Sequence, residues 1–337
     1  MSGGPEPSQA SQPPGAAAGH GLFASVAARA EATPDEPALF FPDGLDVRWR
    51  SWGELAGQAA AGAAALTGLD LPPGAPVAYR WRPHPDAVAA DLAVQAAGST
   101  AVPLGEEDGG TPAGCGARLL LPGEPEPGDG IPVAVLPAPP ARGSRSGSGP
   151  EELPVRAAPG AVRAGGATMP PGELLDRARS LGRRLERAAA GLGALRPRRP
   201  LPREIALASF DLRTLDGRVV LAWALDSGAA LFLEPDPRAA PGAAAWARPS
   251  LIAGDARTLT TLARQVLKPR GRERAGPVRK LLRLLGRADR RPPRPFGRLR
   301  LLVLLGDGRL PLDDLVGWAE RGVAVVRAGE DGPAEPR

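Results

Sequence analysis

Short apolar runs alternate with stretches of helical periodicity along most of this chain, and that alternation constrains the fold more than any other feature. Ala38-Leu39-Phe40-Phe41, Val77-Ala78-Tyr79 and Ala101-Val102-Pro103-Leu104 read as strands. Before the first, Leu22, Val26 and Ala30 recur at helical spacing until Thr33-Pro34-Asp35-Glu36-Pro37 stops them. Pro42-Asp43-Gly44 predicts a turn into a partner strand, Val47-Arg48-Trp49-Arg50, with Gly44 supplying the turn conformation. Ser51 then stands as an N-cap with Glu54 three residues on, which predicts a capping box and a helix through Leu66. Pro85 to Ala97 predicts another helix. Strands separated by helices need crossover connections, so the expected fold is α/β, with layered, mainly parallel sheets and flanking helices.

The pattern continues beyond a weaker stretch. Ala117 to Leu121 and Ile131 to Leu136 read as strands, and Pro137 to Pro150 as a flexible segment. From Gly172 to Leu192, Leu174, Leu175, Ala178, Leu181, Leu185 and Ala188 line one helical face, with arginines on the rest. Strands follow at Glu204 to Phe210, Ala229 to Leu233, Leu251 to Ala253 and Leu299 to Leu305. Helices follow at Asp216 to Ser227, Ala256 to Val266 and Asp313 to Arg321. The expected organisation is a tail over 1–20 too poor in apolar residues to fold, one domain over 21–330, and a short tail over 331–337.

Composition narrows the chemistry. Lys268 and Lys280 are the only lysines among 42 basic residues, so lysine-dependent chemistry has two candidates. Cys115 is the sole cysteine and His20 and His84 the only histidines, which excludes an intrachain disulfide and a Cys- or His-built metal cluster. Neither Cys115 nor His84 has a partner at readable spacing, so a buried thiol and a surface imidazole are expected. No apolar run is long enough to cross a bilayer, and a soluble cytoplasmic protein without a transmembrane segment is the expectation.

Several stretches fall in an order that resembles the large N-terminal domain of the AMP-binding, or adenylate-forming, family of acyl-CoA synthetases and nonribosomal peptide synthetase adenylation domains. Ser51-Trp52-Gly53-Glu54-Leu55 is similar to that family's Thr-Tyr-x-Glu-Leu helix start. Ala97-Gly98-Ser99-Thr100-Ala101-Val102-Pro103-Leu104 is similar to its Ala-Gly-x-x-x-Val-Pro-Leu strand entry. Phe210-Asp211 resembles the Phe-Asp of the substrate wall, and Leu225 to Leu233 the helix-to-strand step after it. Leu301 to Pro311, with Gly306-Asp307-Gly308, resembles the strand and Gly-rich loop beside adenine. The resemblance implies an ATP-dependent acid ligase fold, a nucleotide site and a carboxylic acid substrate.

The departures bear on chemistry. Gripping ATP requires backbone N–H groups, hydroxyls and cations around the phosphates, together with Mg²⁺. The family's Ser-Gly-Thr-Thr-Gly-x-Pro-Lys-Gly loop is matched here to Gly165-Gly166-Ala167-Thr168-Met169-Pro170-Pro171-Gly172, which keeps one hydroxyl and no lysine. Met169 adds bulk and Pro170 cannot donate an N–H. Where the family's Tyr-Gly-x-Thr-Glu is expected after Val323 to Val326, the chain reads Arg327-Ala328-Gly329-Glu330-Asp331-Gly332 and then ends at Arg337, short of the small C-terminal domain and its lysine.

The resemblance therefore points to a truncated, catalytically degenerate adenylate-forming protein acting as a binding or interaction module, with no catalytic or metal-binding residue assigned. Gly165, Gly166, Thr168, Gly172, Gly306, Asp307 and Gly308 form a vestigial nucleotide site, or loops that kept their shape and lost their ligand. Phe210 and Asp211 are the substrate-binding candidates, or a buried ring beside a capping carboxylate. No cofactor is expected, with ATP or AMP and Mg²⁺ if activity is retained. The partner implied is an intact adenylating enzyme or an acyl or peptidyl carrier protein, and one alternative is ligase activity completed by that partner. A second alternative is attachment to anionic membrane or RNA through 264–300, which holds fourteen Arg or Lys and two acidic residues. There Val278, Leu281, Leu282 and Leu285 share a helical face that would equally well pack on the core.

Overall fold

A computed structural model describes residues 21–44, 46–105, 119–121, 160–164, 167–192, 205–208, 211–234, 236, 238–267, 296 and 298–329. The strand candidate 131–136, the flexible segment 137–150, Cys115, Gly165, Gly166, Phe210 and both tails lie outside the described residues. So does the basic segment 264–300, apart from 264–267, 296 and 298–300.

Two sheets carry the fold. The larger joins β1 (Pro37–Asp43), β2 (Asp46–Ser51), β8 (Ile205–Ala208), β9 (Ala230–Leu233), β10 (Leu251–Asp255), β11 (Leu301–Leu305) and β12 (Ala324–Arg327), in the order β12-β11-β10-β8-β9-β1-β2. All its pairings are parallel except β1 with β2, the hairpin that turns at Gly44 with φ of +62°. A Cβ is disfavoured in that left-handed conformation, so glycine fits there. The smaller sheet joins β3 (Pro76–Arg80), β4 (Thr100–Leu104), β5 (Leu119–Leu121), β6 (Val162–Ala164) and β7 (Ala167–Met169) in the order β5-β3-β4-β6-β7. Only β6 with β7 is antiparallel there. The α/β, mainly parallel, layered expectation is borne out.

Helices fill the space between the sheets and cover the far side of the larger one. α1 (Leu22–Ala32), α2 (Trp52–Thr67), α3 (Pro85–Ala96), α4 (Pro171–Leu192) and α5 (Leu215–Ser227) contribute to one core, together with inward residues of both sheets such as Val77, Ala101, Leu39 and Leu231. α3 is buried on nearly all sides, with only Asp86 exposed, because alanines at 87, 89, 90, 93 and 96 let it lie between layers. α2 starts as its sequence dictates: the Ser51 hydroxyl accepts the Glu54 N–H at 3.1 Å and the Glu54 carboxylate accepts the Ser51 N–H at 2.8 Å. On the other face of the larger sheet, α6 (Ala240–Ala247), α7 (Ala256–Leu267) and α8 (Leu312–Ala319) bury Phe40, Phe232, Ile252, Leu302 and Trp318 in a second core.

Three elements have no counterpart in the sequence reading, and one is β12, since 323–326 was read only as the stretch before a family motif. α6 begins with Pro-Gly inside its first turn, a pair that reads as a turn although proline is accepted at the start of a helix. The third is the pairing of β6 with β7, where a loop was expected from 165 up to the helix that starts at Gly172. Its strands have three residues each, too short for alternation to show. Ala164 pairs with Ala167, Arg163 with Thr168 and Val162 with Met169, so positions 165–166 alone join the strands.

Candidate functional site

In an open parallel sheet, ligands bind beyond the carboxyl ends of the strands, where successive connections leave in opposite directions. The chain leaves β8 toward β9 on one side, and β10 pairs with β8 on the other. Asp211, which follows β8, stands at that reversal. Its Oδ1 accepts the Arg213 N–H at 2.8 Å and its Oδ2 the Arg213 Nε–H at 2.6 Å, while its carbonyl accepts the Thr214 hydroxyl at 2.7 Å. The Thr214 hydroxyl in turn caps α5 by accepting the Gly217 N–H at 3.2 Å. Asp211 thus shapes a helix entry, and a Cβ on Gly217 would fall 2.3 Å from its carbonyl oxygen.

Arg213 links the two sheets. A Cβ on Gly105, just past β4, would fall 2.0 Å from its guanidinium, so the side chain lies on bare backbone at the carboxyl edge of the smaller sheet. β6 runs parallel to β4, which puts Ala164 and Ala167, the facing ends of β6 and β7, on this same edge. The Met169 side chain packs into the core, whereas Thr168 is exposed on the outer strand.

Gly172 does not join this edge. α4 runs antiparallel to α5, since Arg179 pairs with Asp226 at 3.2 Å and Gly182 faces Trp223. Gly172 is exposed in the first turn of α4, roughly 18 Å along the helix axis from Arg184, the residue that reaches the end of β12.

Gly306, Asp307 and Gly308 are exposed past the end of β11 and are brought to the start of α5. The Gly306 N–H donates to Asp216 Oδ2 at 2.6 Å, and Gly329, past β12, lies against the same carboxylate. Arg327 lays its guanidinium along this loop, donating from Nη1 to the Gly306 carbonyl and from Nη2 to the Gly308 carbonyl, each at 3.2 Å. From beneath, buried Arg184 donates to the carbonyls of Arg327 and Ala328, each at 2.7 Å. The structure therefore gathers Asp211 with Gly306 to Gly308 around the first turn of α5.

A polar cluster behind this edge escaped the sequence reading. Arg218, one turn into α5, donates from Nη1 to Asp91 Oδ1 at 2.5 Å, from Nη2 to the Tyr79 hydroxyl at 3.3 Å and from Nε to the Leu212 carbonyl at 3.0 Å. Asp91 also receives the Tyr79 hydroxyl at 2.6 Å and the Gln95 amide at 2.7 Å. Burial pushes the Tyr79 hydroxyl well above its ordinary pKa. Burial also opposes the charge on Arg218, but Asp91 and then Tyr79 outweigh it and hold the guanidinium protonated. The available signal was an arginine and an aspartate each set among apolar residues inside a helix.

His84 is not the partnerless surface imidazole expected. It caps α3, its Nδ1 3.3 Å from the Asp86 nitrogen and 3.2 Å from the Asp86 carboxylate, and its ring meets Phe41 edge-on at 4.8 Å. Among the described residues, no three His, Cys, Asp or Glu side chains gather as a metal site, and no helix is long and apolar enough to cross a membrane.

Residues 26–110, a quarter of the chain, match the family model described as AMP-binding enzyme. No curated protein matches the sequence. Among solved structures, the AMPPNP-bound form of the nonribosomal peptide synthetase FmoA3 superposes with a TM-score of 0.65 at 18% identity, covering 95% of this chain and 32% of that one. CmiS6 gives 0.61 at 22% identity over 94% of this chain and 72% of its own. Klebsiella oxytoca NpsA, in complex with 3-hydroxyanthranilyl-AMSN, gives 0.59 at 18% identity over 91% and 57%. The chain thus has the fold of the N-terminal domain of adenylate-forming enzymes, and spans about a third of FmoA3. The resemblance read from the motifs is borne out at the level of fold, and over residues 26–110 by the family model.

Proposed function

We propose that this chain is an adenylate-forming-fold module that does not itself activate carboxylic acids with ATP and instead works as a binding or interaction partner of an intact adenylating enzyme or a carrier protein. The observation that carries this reading is the β6–β7 connection. A nine-residue phosphate loop wraps a triphosphate with backbone N–H groups, hydroxyls and a lysine; here Ala167 to Met169 of the matched stretch are paired as a strand with Val162 to Ala164, and the stretch carries one hydroxyl, that of Thr168, and no lysine. Met169, matched to a glycine of that loop, is committed to the core. The residues present do not fit Mg²⁺-ATP, so no adenylation step is assigned to them. The carrier-protein partner rests on the fold shared with FmoA3, whose own description is a nonribosomal peptide synthetase.

Carboxylate-dependent ATP–pyrophosphate exchange on the purified chain tests the proposal. Background exchange across a panel of aryl, alkyl and amino acids is expected. Clear exchange by the chain alone overturns it, and exchange that appears only on adding a partner favours a ligase completed in trans.

A further inference from the structure

We infer that Arg327 is a built-in occupant of the carboxyl end of β11 and β12, closing against outside ligands the acceptor pair that the Gly306–Gly308 loop would offer. Two carbonyls two positions apart, exposed beyond a parallel strand, form a ready acceptor pair for a planar group carrying N–H donors. Here that group is already in the chain. The Arg327 guanidinium is flat and presents its donors as a fork, and it reaches the Gly306 and Gly308 carbonyls together at 3.2 Å each.

The neighbouring contacts hold both sides of this arrangement in register. Asp216 takes the Gly306 N–H at 2.6 Å, which fixes the loop to α5. Arg184 takes the carbonyls of Arg327 and Ala328 at 2.7 Å each, which fixes the backbone that launches the Arg327 side chain. Ala328 donates its N–H to the Leu304 carbonyl at 2.9 Å, tying the end of β12 to β11. The loop is therefore braced on its N–H side by Asp216 and capped on its C=O side by Arg327. Each carbonyl keeps a second lone pair, so what a planar ligand meets there is the Arg327 guanidinium itself, already seated across both.

The ligand class excluded is an amino-substituted planar heterocycle, for which adenosine is the probe. Adenosine carries no phosphate, so its uptake is independent of the β6–β7 turn. The inference rests on the proposed nonadenylating role, and the two fail separately: exchange activity in the unaltered chain removes the former reading, while the occlusion is judged by adenosine alone.

Calorimetric titration of the full chain with adenosine, and with inosine, which lacks the exocyclic amine, tests it. The expected result is that Arg327→Ala binds adenosine at least about tenfold more tightly than the unaltered chain and prefers it to inosine. Arg327→Lys supplies the charge without the fork, and serves if the alanine variant fails to fold; an intermediate affinity is expected for it. Equal adenosine affinity in the unaltered chain and both variants overturns the occlusion. So does a gain that inosine shares in full.

Discussion

Arg218 of α5 and Asp91 of α3 face each other at 2.5 Å, each side chain only 1% exposed, in the layer of helices between the two sheets. Tyr79 of β3 and Gln95 of α3 complete the coordination of the carboxylate, so one polar cluster ties a strand of the smaller sheet to a helix that runs on to the larger one. Removing one ion of such a pair strands the other without solvent, at a cost of about 3–5 kcal/mol. Arg218→Met is therefore expected to lower unfolding stability by that amount in urea titrations. The double variant Arg218→Met with Asp91→Leu should lose markedly less than the sum of the singles, because no uncompensated charge remains. Additive losses would show that the two residues act independently.

The capping box at the start of α2 has a smaller and more local role. Ser51→Ala removes the acceptor for the Glu54 N–H and should cost about 1 kcal/mol. Hydrogen exchange of the first-turn amides of α2 should rise with it, while amides of α5 stay unchanged.

Asp86 makes part of the stability acid-sensitive. Its hydrogen bond with His84 lowers its pKa most, and the Arg50 guanidinium at 2.6 Å and the Gln58 amide at 3.2 Å add to this against partial burial. The carboxyl is held well below the usual carboxylate range, so folding favours its ionised form. The contribution is complete above the unfolded value of about 3.9 and fades as pH falls through it toward the folded value. His84 Nδ1 accepts the Asp86 N–H when neutral and donates to the carboxylate when protonated. Asp86→Asn should flatten the decline in melting temperature between pH 5 and pH 3, on the order of the range just given. An unchanged profile would remove this residue from the acid transition.

Glu234 works in the opposite direction. It is buried just past β9, where desolvation raises its pKa while its Oε1 accepts the Asp236 N–H at 3.0 Å. A raised acid stabilises least once ionised, so the penalty is absent below the unfolded value of about 4.3 and complete above the folded one. Glu234→Gln keeps the acceptor and should raise the melting temperature at neutral pH. That gain should vanish near pH 3.5, roughly where the Glu234 carboxyl is protonated in the folded and unfolded chain alike. A variant no more stable at neutral pH would contradict it.

Much of the architecture was legible because it is written in local terms. The Ser51–Glu54 box, the Gly44 turn and the apolar runs at 38–41, 77–79 and 101–104 each use neighbours a few residues away, and each element formed where those signals lie. The Gly306 turn was also readable, and it sits past a core strand as its pattern implies. The pairing of 162–164 with 167–169 was not, because three-residue strands carry no period. Gly172, grouped by motif with Thr168, lies in the first turn of α4, where the helical pattern starting at Gly172 also puts it.

By itself the sequence determined the class of fold, because hydrophobic periodicity and capping act within an element and survive without knowledge of its neighbours. Only the tertiary structure decided the chemistry at the carboxyl edge. Arg184, Asp216 and Arg327 are separated by 32 and 111 positions along the chain, and they share one loop only because parallel pairing sets the ends of β11 and β12 beside the start of α5. Contacts of that range depend on which strands become neighbours, and no local pattern encodes that choice.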